Sequence, residues 1–240
     1  MVFENTRLMR NPFFMMLLCL PALLTACNNT DENAAGKPQS AQPVYMNYKI
    51  WGEEGMEWVT CLFQFHQGSE DGTPLRIEAP ASVTLDGEVL PPDSARLTGV
   101  FYELQVPLQD FTGRHTIVYK NVNGREFREE FQFQPLVLIN NLSTRVRRGN
   151  LVLELAGLLP GEQVRVSLMD TAFATADINQ LFTPKDNRIV LSQEQLQKVA
   201  SGPVTLFLYK EAEHSLKNAT PAGGRLSLSY ELRREFDLVD

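Results

Sequence analysis

The sequence predicts an all-β protein built as two tandem β-sandwich domains. Three observations carry this reading. Residues 44–51 and 58–65 alternate apolar and polar side chains with period two, the spacing of a half-buried strand. Asp86-Gly87 and Asn123-Gly124, dipeptides that supply positive φ to tight hairpins, separate further runs of this kind. No amphipathic helical pattern competes anywhere between residues 44 and 135.

In chain order, Arg7 and Arg10 precede an almost wholly apolar run from Phe13 to Leu24. A basic start, a short apolar stretch and small residues before a cut describe a secretory signal segment. The run is shorter than the roughly 20 apolar residues needed to cross a bilayer. It ends in Leu24-Thr25-Ala26-Cys27, which resembles the lipobox of bacterial lipoproteins. The resemblance implies that residues 1–26 are removed and that Cys27 becomes the lipidated N-terminus. It also implies outer-membrane residence in a Gram-negative envelope, on the periplasmic face or at the cell surface. That family commonly retains proteins in the inner membrane with an aspartate after the cysteine, and Asn28 stands there. Residues 27–43 are rich in Asn, Asp, Glu, Pro, Ser and Gln and read as a lipidated tether with nothing to bury. As a flexible coil they reach about 20–25 Å.

The first domain is expected over 44–135. After the two alternating strands, residues 82–85 and 88–90 flank Asp86-Gly87. Strands at 100–106, 114–120 and 125–133 follow, the last two joined through Asn123-Gly124. Asp110-Phe111-Thr112-Gly113, the strand behind it and the Gly-containing hairpin resemble the closing hairpin of bacterial immunoglobulin-like domains. The resemblance implies an immunoglobulin-like sandwich for this domain and no activity, and the fold expected for the whole is two such sandwiches in tandem. His115 stands where many such domains have a tyrosine.

Pro135 marks the expected boundary, and the second β-sandwich domain is expected over 136–240. Its strands are expected at 136–139, 151–155, 164–168, 188–191, 204–209 and 226–232. One short helix interrupts them. Ser192 with Gln195 makes a capping box, Leu196 and Val199 form the apolar face, and Gly202 is the expected stop.

Removing Arg7, Arg10 and Glu4 with the leader moves the formal charge from −7 to −8. An acidic product lacks the clustered Lys/Arg of a nucleic-acid footprint, so no nucleic-acid partner is expected. Membrane attachment is expected through lipid alone. Beyond the membrane, the expected partner is an envelope protein or a glycan. With Cys19 in the leader and Cys27 lipidated, Cys61 is left without an intramolecular disulfide partner. Its strand phase, shared with Val59, Phe63 and Phe65, makes it a buried hydrophobe.

No catalytic residue, metal ligand set or cofactor motif emerges. His66, His115 and His214 lack metal-ligand spacing, and there is neither a nucleophile elbow nor a phosphate loop. Glu53, Glu54 and Glu57 read as a solvated acidic turn rather than a glycosidase pair. The ligand-binding candidates are Trp51, Trp58 and Tyr45. Aligning the apolar faces of 44–51 and 58–65 in an i + j = 109 register sets Trp51 directly opposite Trp58 on the other face. Such a cross-strand pair is worth about 0.2–1 kcal/mol to a sheet, and if exposed it can stack on a sugar ring. The function expected is a non-catalytic binding or structural module, with carbohydrate binding for surface glycan uptake as the alternative.

Overall fold

The computed structural model describes residues 37–38, 43–96, 99–171 and 177–240. Cys27, the expected signal segment and most of the expected tether lie outside the described residues.

After a two-residue strand β1 (Lys37–Pro38), the chain forms β2 (Val44–Glu53), β3 (Trp58–Gln67) and β4 (Leu75–Arg76). Then come β5 (Ser82–Leu85), β6 (Glu88–Val89), β7 (Asp93–Ala95) and β8 (Gly99–Pro107). A 3-10 turn at Leu108–Asp110 leads into β9 (Gly113–Lys120) and β10 (Glu126–Phe133). The C-terminal half holds β11 (Val137–Leu138), β12 (Arg145–Arg147), β13 (Leu151–Ala156), β14 (Gln163–Asp170), β15 (Ile178–Phe182) and β16 (Arg188–Leu191). Helix α1 (Gln193–Leu196) precedes two long strands, β17 (Gly202–Ser215) and β18 (Gly224–Val239).

The protein is all-β, as expected. Its main sheet has nine strands: β15-β14-β17-β18-β2-β3-β8-β7 in order, with β12 beside β18. Three smaller sheets, β10-β9-β5-β6, β11-β13-β16 and the parallel pair β1-β4, form separate ladders among the described residues. Alternation explains the layering, because every second residue of β2 and β3 is buried while the residues between them, buried Asn47 excepted, are exposed or half-buried. The buried residues join into one core that includes Met46, Phe65 and Tyr119 from the first half and Leu153, Leu168 and Leu206 from the second. Phe65 packs 5.2 Å from Tyr119, and Phe133 packs 6.3 Å from Tyr230.

The two halves meet through a seam in the main sheet. β18 pairs with β17 along Gly202–Ser215 and, on its other side, runs parallel to β2, Gly224–Glu231 against Met46–Glu53. Gly224 permits this approach: a Cβ there would lie 2.5 Å from the Met46 carbonyl oxygen. Between the layers, the Lys210 ammonium donates to the Gln134 and Gly157 carbonyls at 2.7 and 2.8 Å and lies 3.3 Å from the Glu162 carboxylate. The lysine therefore pins the chain on both sides of Pro135.

The structure corrects three local expectations. Val44 pairs with Gln67 and Ile50 with Cys61, so the first hairpin has i + j = 111 rather than 109. The shift of two keeps every side chain on its expected face, since the pleat repeats every two residues. It places Trp51 opposite Thr60 instead of opposite Trp58. Helix α1 has its capping box but ends at Leu196, and Gly202 opens β17 instead of stopping the helix. Arg148 donates to the Leu196 and Val199 carbonyls at 2.8 Å, satisfying the end of that turn. Strands β7, β12 and β15 are short, and their apolar pattern is too brief to be read from the sequence.

At the closing hairpin β9–β10, His115 does the work of a corner residue. Its Nε2 lies 2.8 Å from the Phe111 carbonyl oxygen four residues upstream, and its Nδ1 lies 2.7 Å from Asp86. The ring stacks on Phe111 at 3.9 Å. Asp86 also accepts the Thr116 amide at 2.7 Å, so the β5–β6 turn is tied to β9.

Candidate functional site

The outward face of the main sheet carries the candidate site. Trp51 on β2 is 40% exposed and Trp58 on β3 is 48% exposed. Both project from the face opposite the core, because Ile50 and Val59 beside them are buried. Trp51 faces Thr60, so the two indoles are diagonal neighbours whose backbones sit about 7–8 Å apart. Tyr45 shares the face, but six residues along β2 places it roughly 20 Å from Trp51. Its hydroxyl donates to Glu70 at 3.4 Å, and Glu70 in turn pairs with Arg225 at 2.7 Å. The structure thus brings Trp51 and Trp58 together and leaves Tyr45 in a separate cluster.

Trp58 also walls an open cleft of about 600 Å³. Met56, Pro107 and Leu108 supply its apolar lining, and Glu57, Gln109 and Thr112 supply polar groups. Cross-strand pairing builds this cleft, since Trp58 lies opposite Pro107 at the end of β8. The Leu108 amide donates to the Glu57 carbonyl at 2.8 Å, which holds the rim in place.

On the other side of Trp58 the seam adds residues that the sequence did not suggest. Continuing the β2–β3 register sets Glu53 against Trp58. Glu53 pairs across the seam with Glu231, and Glu231 pairs with Tyr209 on β17. One row across four adjacent strands therefore reads Trp58, Glu53, Glu231, Tyr209. Burial first, and then Glu53, pushes the Glu231 carboxyl above its usual range. Burial and then Glu231 push the Tyr209 hydroxyl up. Phe207 stacks beside Tyr209 at 5.8 Å, with the Arg233 guanidinium over its ring at 5.6 Å. Sequence spacing could not reveal this row, because Glu53 and Glu231 meet only through the β18–β2 pairing. Glu54 points away from it and is held by Arg234, whose Nη2 donates at 2.9 Å.

The other chemistry-bearing residues have structural surroundings. Cys61 is buried, and burial pushes its thiol up to about 12. That setting is the reverse of an activated nucleophile. His115 is occupied as described, and His214 lies 3.4 Å from the buried Glu129. Burial pushes the His66 imidazole below its usual range. Among the described residues no group of three or more His, Cys, Asp and Glu side chains is arranged to hold a metal ion. Among the same residues no helix is long and apolar enough to cross a membrane.

Neither a family profile nor a curated protein sequence matches this chain. Among solved structures, it is similar to a 1.5-MDa bacterial ice-binding adhesin at 10% identity, covering 83% of this chain and 66% of that one, with a TM-score of 0.26. It is similar to the Bacteroides ovatus protein SGBP-B of a mixed-linkage glucan utilization locus, solved with a mixed-linkage heptasaccharide, at 10% identity, covering 78% of this chain and 60% of that one, TM-score 0.23. It is also similar to the IG1 and IG2 domains of DIP-gamma at 11% identity, covering 82% of this chain and 98% of that one, TM-score 0.22. Similarity this remote establishes no family and carries no functional argument.

Proposed function

We propose that this chain is a non-catalytic binding module of the bacterial envelope, lipid-anchored at Cys27 and tethered through residues 28–43 to sandwiches spanning 44–135 and 136–240. The observation that carries the reading is the paired exposure of Trp51 and Trp58 on one outward sheet face beside an open cleft. Large exposed aromatics on a rigid sheet present a flat, partly apolar surface at low entropic cost. Cys61, His115 and His214, being buried or already partnered, offer no competing catalytic centre. The reading favours a saccharide, whose ring faces stack on indoles, over a purely structural role for the pair, because both indoles are substantially exposed and neither closes a core.

The test is tryptophan fluorescence of the Cys27→Ser protein during titration with neutral oligosaccharides. Quenching by at least one of them, abolished in the Trp51→Ala/Trp58→Ala variant, is the expected outcome. The same Cys27→Ser change should move the protein from the membrane fraction to the soluble fraction. Continued membrane association would overturn the anchoring, and quenching that survives loss of both indoles would overturn the site.

A further inference from the structure

We propose that the row Trp58, Glu53, Glu231, Tyr209 forms a track for a neutral polysaccharide that lies across the strands and spans the seam between the two halves. The proposal rests on the saccharide reading above and names its ligand class and its path. Four adjacent strands at 4.7–4.9 Å spacing put Trp58 and Tyr209 about 14 Å apart, with the two carboxylates between them. An aromatic at each end and acceptors in the middle suit a chain that alternates C–H faces with hydroxyls. Carboxylates accept but do not donate, so they pair with hydroxyl hydrogens, and bonds to an ionised acceptor are the stronger kind. Trp51 flanks the row from the next position on β2, and the cleft beside Trp58 continues it toward β8.

Charge selects the occupant. Glu53 and Glu231 lie side by side at the centre of the row, and Glu211 is added on the neighbouring row opposite Ser229. The flanking cations are already engaged: Arg165, opposite Tyr209 on β14, lies 3.8 Å from Glu211, and Arg233 pairs with Glu235 and the Phe207 ring. An anionic polymer would meet repulsion from Glu53 and Glu231 along the middle of the track, whereas a neutral, hydroxyl-rich chain would not. The open, shallow geometry suits an extended chain better than a small molecule, which needs enclosure on most sides.

The track requires both halves, since Trp58 and Glu53 come from the first and Glu231 and Tyr209 from the last two strands. A ligand lying along it ties β3 to β17 and stabilises the seam by mass action.

The experiment titrates the full Cys27→Ser chain with cellohexaose, laminarihexaose, xylohexaose and mannohexaose, with polygalacturonate as the anionic probe, by fluorescence and calorimetry. The expected result is binding of at least one neutral hexasaccharide and none of polygalacturonate. Tyr209→Ala and Glu231→Gln should each weaken that binding, on the order of tenfold for the tyrosine. Tyr209→Phe should retain it, and Tyr45→Ala, off the row, should leave it unchanged. Unfolding midpoints equal to the parent's identify the variants whose folding is intact. Full-strength binding in both Tyr209→Ala and Glu231→Gln, with loss in Trp58→Ala, overturns the track while leaving the tryptophan site standing. Preference for polygalacturonate also overturns the track. Failure of the parent to bind any neutral probe overturns the track and the saccharide reading together.

Discussion

Replacing Gly224 by alanine should loosen the seam that joins the two halves of the sheet. The new Cβ would lie 2.5 Å from the Met46 carbonyl oxygen and 2.6 Å from Leu216 Cδ1. The leucine can rotate, but the carbonyl belongs to β2 and cannot move without parting the strands. Overpacking of this kind costs about 1–3 kcal/mol. Parting the strands there also strains the Met46 amide to Gly223 carbonyl bond at 3.3 Å and the Leu216 amide to Gly224 carbonyl bond at 3.0 Å. Each is worth about 1 kcal/mol. Alanine returns about 0.4–1 kcal/mol by restricting the unfolded chain. The net loss is about 2–4 kcal/mol. Urea unfolding followed by tryptophan fluorescence reads it directly, because Trp51 and Trp58 both lie beside the seam. Gly149→Ala is the control, since its Cβ would meet nothing closer than an Arg147 carbonyl oxygen at 3.9 Å. A Gly224→Ala protein within about 0.5 kcal/mol of the parent, the ordinary scatter of surface changes, would refute the close approach of β18 to β2.

Two other predictions concern buried polar groups. Lys210→Met removes one partner of a buried ion pair, leaving the Glu162 carboxylate with only the Leu159 amide and the Gln134 and Gly157 carbonyls without their donor, so it should cost about 3–5 kcal/mol in urea unfolding. Adding Glu162→Gln should recover part of that loss, and a single-variant cost below about 1 kcal/mol would show that the lysine does not pin the junction. Cys61 should make the fold alkali-sensitive: its pKa rises from 9.0 to about 12 on folding, so its contribution is complete below pH 9 and is lost as the pH climbs toward 12. A gap of that size corresponds to about 4 kcal/mol, so the unfolding midpoint of Cys61→Val should fall less steeply between pH 9 and 11 than the parent's; equal slopes would contradict it.

The alternation at 44–51 and 58–65 determined the strands and the faces they bury, because strand period is local and each residue declares its side. Asp86-Gly87 and Asn123-Gly124 determined two turns for the same reason, and Ser192 with Gln195 determined where a helix begins. That phase put both tryptophans on the face away from Ile50 and Val59, but only the structure showed that this face is exposed. Register was less legible: i + j = 109 aligns four apolar pairs and 111 only three, with Val44 opposite Gln67, so counting apolar pairs pointed to the wrong register, and the observed one leaves the longer Glu54–Glu57 turn. Tertiary structure alone decided the seam, since nothing local in residues 224–231 announces that they will lie against 46–53. That parallel pairing joins segments nearly the whole chain apart, and it depends on one glycine that reads in sequence as a turn. It also puts Glu231 and Tyr209 in line with Trp58, so half of the proposed site was invisible until the strands were side by side.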